Sequence, residues 1–137
     1  MGYLALMTPK NNPLFDVIVT SQDGAETVAI QVKTRSVHNK QGWKFGTDMA
    51  SDDKSKSLFV VLVNLTDSGT PDYYVYERTE LVKRVNTVYA AYMSKRKKDR
   101  GERKAVGFRW FDESSFTDDD ISKKNNWRRI HEELRAT

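Results

Sequence analysis

The 137-residue sequence predicts a mixed α/β fold formed as a single unit over residues 1–137, and three features predict it. Two segments rich in β-branched residues, LFDVIVT at 14–20 and ETVAIQVKT at 26–34, flank the turn signal Ser21-Gln22-Asp23-Gly24. The run SLFVVLVN at 57–64 is almost uninterrupted apolar sequence, as suits a strand buried on both faces. Leu81, Val82, Val85, Val88, Tyr89, Tyr92 and Met93 then recur at helical spacing. No repeat or low-complexity tract interrupts this order, and the length suits one domain.

Taken along the chain, residues 3–8 read as a short apolar strand, ended by Pro9 and the turn-forming Asn11-Asn12-Pro13. The two β-branched segments follow, most simply as a hairpin, with Asp23-Gly24 suited to the positive φ values of a type I′ turn. Residues 35–57 read as a long polar loop with a short helix around 48–54. Within it, Trp43 and Phe45 could stack on bases, but folding back onto the sheet is the preferred reading for Trp43. After the apolar strand, Thr66-Asp67-Ser68-Gly69 turns the chain into DYYVYE at 72–77, where alternating tyrosines put at least one face on the core. Thr79 is placed to cap the long helix, whose C-terminal end carries Lys95-Arg96-Lys97-Lys98, cations that also suit its dipole. Residues 105–111 form a candidate last strand. Thr117 followed by Asp118-Asp119-Asp120 marks a helix start, with a metal site as the lesser reading of the acids. Trp127, Ile130 and Leu134 give the C-terminal helix an apolar stripe.

Composition removes several function classes. With no cysteine there is no disulfide framework, thiol nucleophile or cysteine-held zinc, and only His38 and His131 remain for imidazole chemistry. Neither histidine stands in the context of a Ser-His-Asp site, and no metal role is assigned to His38. No apolar run approaches the roughly 18 residues of a membrane helix, and residues 1–10 lack signal-peptide features, so a cytoplasmic protein away from membranes is expected. Twenty-three Lys and Arg against 19 Asp and Glu leave a net charge of +4. The excess is clustered, in Lys95, Arg96, Lys97, Lys98, Arg100, Arg103 and Lys104 and again in Lys123-Lys124 and Arg128-Arg129. Such clusters are either a solvated helix end and loop or a surface for a polyanion.

Centring the hairpin on Asp23-Gly24 makes residues whose numbers sum to 47 face each other. Val19 then meets Val28, Val17 meets Ile30 and Phe15 meets Val32, an all-apolar face for the core. The opposite face pairs Leu14 with Lys33, Asp16 with Gln31, Ile18 with Ala29 and Thr20 with Thr27. It gathers an acid, an amide and an ammonium at one end of an otherwise apolar ribbon. A carboxylate in such a segment needs compensation. A structural ion pair from Asp16 to Lys33 supplies it in one reading. In the other, Asp16 and the Gln31 amide oxygen hold a hard cation such as Mg2+ while Lys33 orients water and offsets phosphate charge.

The order strand, Asp16 in LFDVIV, hairpin, then Gln31-Val32-Lys33 in VAIQVKT resembles the PD-(D/E)XK nuclease superfamily, the restriction-endonuclease-like fold, in a QxK variant. The Gly2-Tyr3 start, Asn11-Asn12-Pro13, the SLFVVLVNL strand, PDYYVYERTELV and Trp127 are similar to small, poorly characterised members of it, over about residues 2–92 and the tryptophan helix. The resemblance implies a mixed central sheet flanked by helices and metal-dependent hydrolysis of phosphodiester bonds, in DNA more than in RNA, with Mg2+ or Mn2+. It implies a catalytic set of Asp16, Gln31 and Lys33, metal held by Asp16, Gln31 and the Val32 carbonyl, and nucleic acid gripped by the cluster at 95–104. Two departures are an amide at Gln31 in place of the commoner acid, and no residue to carry onto the glutamate that many members place on a helix before the first strand, a helix that is apparently missing. An inactive member of the same fold, binding nucleic acid or a protein, is the alternative. Cutting both strands of a duplex would favour a homodimer.

Overall fold

The computed structural model describes residues 2–10, 15–46, 58–100 and 108–135, and for 96–100 the backbone alone. Leu14, the short helix expected over 48–54 and the first part of the strand expected over 105–111 lie outside the described residues. Seven strands and three helices follow one another as β1 (Leu4–Met7), β2 (Val17–Thr20), β3 (Thr27–Arg35), β4 (Trp43–Gly46), β5 (Leu58–Asn64), β6 (Asp72–Glu77), α1 (Arg78–Arg100), β7 (Phe108–Phe111), α2 (Asp118–Ser122) and α3 (Arg128–Leu134). A five-stranded mixed sheet has the order β1-β2-β3-β5-β6, with β3 and β5 parallel and the other neighbours antiparallel. Strands β4 and β7 form a separate antiparallel ribbon. No described helix is long and apolar enough to cross a membrane.

The hairpin has the register read from the sequence: Val17 faces Ile30, Ile18 faces Ala29, Val19 faces Val28 and Thr20 faces Thr27. Its turn is different. Gly24 N–H donates to Ser21 O, Ser21 N–H donates to Glu26 O, and Gly24 alone of the loop has positive φ, at 75°. The loop is thus 22–25 and not the two-residue type I′ turn expected. Both loops share one centre, so the facing pairs do not change. Asp23 stabilises the longer loop by accepting from the Ser21 hydroxyl and the Ala25 amide, and these two bonds hold its carboxyl below the ordinary range.

Side-chain alternation then divides the core in two. On one face Val28, Ile30, Phe59, Val61, Val63 and Val75 pack beneath Ile130 and Leu134 of α3. On the other, Val60, Leu62, Tyr74 and Tyr76 pack beneath Leu81, Val82 and Val85 of α1 together with Trp43, Phe45 and Phe111 of the ribbon. Strand β5, buried from Phe59 to Val63, contributes to both, as its unbroken apolar run requires. Trp43 folds back as preferred, 2% exposed, with its indole N–H donating to Val63 O at 3.1 Å.

The aromatics of the long loop belong to a strand, which the sequence reading did not anticipate. Trp43 faces Phe111 and Phe45 faces Arg109 across the ribbon. The approach is close at Gly42, where φ is 98° and a Cβ would lie 2.3 Å from Phe111 O. Gly42→Ala therefore combines left-handed strain with overpacking and should destabilise the protein by about 2–4 kcal/mol. Gly24→Ala meets nothing within 4 Å and carries only the strain, so its midpoint in urea unfolding should move less. Equal shifts would discount the ribbon contact.

The C-terminal segment is two short helices, not one, because the chain between them is used by the sheet. Val75 N–H donates to Lys123 O, Asn125 N–H to Tyr73 O, and Lys124 bridges to Tyr74, which covers the outer edge of β6. Asn125 takes a φ of 52° at this break, a conformation that asparagine tolerates. The opposite edge of the sheet is β1, where Leu4 and Leu6 are more than half exposed.

Candidate active site

At the open end of the hairpin the ladder departs from its expected course. The hydrogen-bonded pairs Ser21–Glu26, Val19–Val28 and Val17–Ile30 would continue with Phe15 opposite Val32. Instead, β2 begins at Val17, and Asp16 N–H donates to Ile30 O at 2.8 Å. The Asp16 carboxylate swings in, its Oδ2 accepting the Val32 N–H at 2.7 Å in place of a strand carbonyl. The Phe15 carbonyl accepts the Thr8 hydroxyl at 2.9 Å, and the Asp16 carbonyl accepts the Thr8 N–H at 2.9 Å. The expected facing pairs Phe15–Val32 and Asp16–Gln31 therefore do not form, because a side chain has taken the next ladder position.

This bond sets the geometry of the candidate site. Val32 lies between Gln31 and Lys33, so the carboxylate is fixed alongside both while its second oxygen, Oδ1, makes no protein hydrogen bond among the described residues. Gln31 and Lys33 share the α1 face of β3, in register with Val60 and Leu62 of β5. The Gln31 amide makes no side-chain hydrogen bond among the described residues. Lys33 is partly buried with its ammonium 5.8 Å from the Phe45 ring, and it forms no ion pair with Asp16. The structural ion pair considered from the sequence is thus absent: the acid is compensated by a backbone amide, and the ammonium makes no ion pair among the described residues.

Asp16 Oδ1, the Gln31 amide oxygen and the Val32 carbonyl are the oxygen groups beside the start of β2 that could serve as ligands to a hard cation. They bring a single negative charge, and no group of three or more His, Cys, Asp or Glu side chains converges among the described residues. A cation there would need water and substrate phosphate to complete its shell, as Mg2+ commonly does.

The two basic clusters part company. Lys123 pairs with Glu80, Lys124 with Asp72 at 3.5 Å, Arg128 with Glu132 at 2.8 Å, and Arg129 with Glu77 and Glu132. Burial pushes the Glu77 carboxyl up, but hydrogen bonds with Arg129 and Glu80 and the charges of Arg129 and Lys123 together hold the group below its usual range. This second cluster is internally neutralised and ties α3 to β6. In the first cluster Lys95 is exposed, Arg96, Lys97, Lys98 and Arg100 occupy the last turns of α1, and Arg103 and Lys104 lie outside the described residues.

The Asp118-Asp119-Asp120 run is a cap, as its preferred reading had it. Thr117 and Asp120 form a reciprocal capping box, and Asp120 is fully buried against Arg84 and Tyr76. Two further features were missed. Arg35, Asn64 and Glu113 form a hydrogen-bonded triad linking β3 and β5 to the turn after β7, with Arg35 also 4.9 Å over Trp43. Phe108 and Trp110 share the outer face of β7 beside Lys44, a pattern legible in the alternation of FRWF.

Fold and site together define a mixed α/β domain whose sheet carries a carboxylate anchored at the start of β2 beside the segment of β3 that bears an amide and an ammonium. No protein-family model, curated protein or solved structure matches the chain.

Proposed function

We propose that the chain is a metal-dependent phosphodiesterase of the PD-(D/E)XK type, acting on DNA in preference to RNA. The observation that carries this reading is the pinning of Asp16 by Val32 N–H, which leaves the Gln31 amide and the Lys33 ammonium on a common face, with no ion pair between Asp16 and Lys33. Asp16 and Gln31, with the Val32 carbonyl, would hold Mg2+ or Mn2+. The metal, when bound, supplies Lewis-acid polarisation of the phosphate and activation of water. Lys33 offsets charge on the attacked phosphate and orients the water, and its place over Phe45 excludes bulk solvent from one side. The end of α1, from Lys95 through Arg100, attracts the phosphate backbone and fixes its approach.

The neutral Gln31 and the single carboxylate favour one alternative, an inactive member of the fold that retains nucleic-acid binding. Labelled plasmid and single-stranded DNA incubated with Mg2+ or Mn2+, with EDTA as control, separate the two. Cleavage that falls by about 100-fold or more in Lys33→Ala is the expected result, the scale set by removing one transition-state charge stabiliser. Salt-sensitive binding without cleavage of either substrate would establish the inactive reading instead. Two copies of the site would be needed to cut both strands of a duplex.

A further inference from the structure

Away from that site, a groove of about 330 Å3 runs between α1 and the edge of β7 not paired to β4. Four aromatic rings line it, Tyr89 and Tyr92 from the helix and Phe108 and Trp110 from the strand. Aromatic side chains are normally spent on the core, yet these four are only partly buried or exposed, and Tyr92 keeps 50% of its surface. Phe108 and Trp110 stand edge to face, with centroids 6.0 Å apart and planes at 85°, and are not stacked on each other. Cations accompany the rings. The Lys44 ammonium lies 4.2 Å over Phe108 and the Arg109 guanidinium 4.3 Å over Tyr89, and neither makes an ion pair among the described residues. Asp112, which also lines the groove, is occupied as the cap of the following turn, accepting from Ser114 N–H at 2.8 Å. Beyond Tyr92 the same helix continues into Lys95-Arg96-Lys97-Lys98.

We infer that this groove binds unpaired nucleobases, with Trp110 as the stacking ring. A single nucleic-acid strand is the one polymer whose chemistry matches both parts: flat apolar faces that stack on exposed aromatics, and a phosphate at every step for Lys44, Arg109 and the basic end of α1. Duplex DNA presents its phosphates but keeps its base faces stacked, so it would use the cations and not the rings. The inference rests on residues separate from Asp16, Gln31 and Lys33 and adds an unpaired strand as the substrate class to the proposed function.

The test is made in EDTA without metal, so that its outcome is independent of cleavage. The full chain is titrated with fluorescein-labelled dT15, with U15, with a dT15-length abasic strand and with a closed duplex hairpin, at two salt concentrations. Tight salt-sensitive binding of dT15 or U15, weakened about tenfold or more by Trp110→Ala, with the duplex hairpin unaffected by the change, is expected. Trp110→Phe keeps a ring and should hold affinity within a few-fold, while abolishing the quench of tryptophan fluorescence that dT15 produces. Trp43 is sealed in the core and Trp127 packs on Tyr73 beneath the opposite face, so neither should report binding. Phe108→Ala guards against a folding defect specific to position 110, and all variants are compared by melting temperature. Equal binding of the abasic strand, an unchanged affinity in Trp110→Ala, a quench that survives in Trp110→Phe, or no binding of either strand would overturn the inference.

Discussion

Asp120→Ala is expected to lower the unfolding free energy by about 3–5 kcal/mol, the range for breaking a buried ion pair from one side. The carboxylate is fully buried and every acceptor position is used. Oδ2 accepts from Thr117 N–H at 2.9 Å and its hydroxyl at 3.1 Å, Oδ1 accepts from Tyr76 at 3.0 Å, and Arg84 spans both oxygens. Burial, together with the neighbouring Asp120 charge, pushes the Tyr76 phenol far above its ordinary range and keeps it a donor. Alanine would leave that hydroxyl and a guanidinium only 21% exposed without their acceptor. Thr117→Ala removes the cap hydroxyl and its one bond to Asp120 Oδ2 but leaves Tyr76 and Arg84 their acceptor, and should cost about 1 kcal/mol. Urea unfolding of the two variants measures the difference, and a loss below about 1 kcal/mol for Asp120→Ala would show the network to be dispensable.

The second large effect separates the two roles of Asp16. Asparagine can still accept the Val32 N–H through Oδ1, so Asp16→Asn should keep the end of the ladder and change stability by less than about 1 kcal/mol. It removes the one negative charge of the candidate site, and metal-dependent cleavage should fall by about 100-fold or more. Asp16→Ala loses both, with a stability cost of about 1 kcal/mol because water can reach the exposed Val32 amide. Calorimetry with Mg2+ or Mn2+, run beside the cleavage assay, should show weaker metal binding in both variants. If Asp16→Asn cleaves like the wild type, the carboxylate is a ladder terminator and nothing more.

Much of this protein was legible in the sequence because it depends on local chemistry. The hairpin register follows from alternation that a one-residue slip would ruin, and Val17, Val19, Val28 and Ile30 do face one core. The unbroken apolar run became the doubly buried β5, the first part of the helical stripe, Leu81, Val82, Val85 and Val88, became the core side of α1 while Tyr92 stayed half exposed, and Thr117 capped its helix through Asp120. Asp16, Gln31 and Lys33 were singled out for the same reason: polar groups in apolar strands stand out without a structure.

Tertiary structure decided what those polar groups meet. Asp16 bonds the Val32 amide and not Lys33, because a strand that stops at Val17 leaves an unpaired N–H at hydrogen-bonding distance. Lys123, Lys124, Arg128 and Arg129 looked like half of a polyanion surface, yet their carboxylate partners on β6, α1 and α3 neutralise them. The pairing of β4 with β7 joins residues about 65 positions apart, and the split between α2 and α3 exists because the edge of β6 takes the backbone at 123–125. Sequence by itself set the periodicities, the cap at Thr117 and which residues are chemically out of place, whereas α1 begins at Arg78 and so takes in Thr79, the cap expected for it. Hydrogen bonds and ion pairs between distant segments are fixed only when the chain closes on itself, since their geometry depends on where each strand ends and which edge is left open.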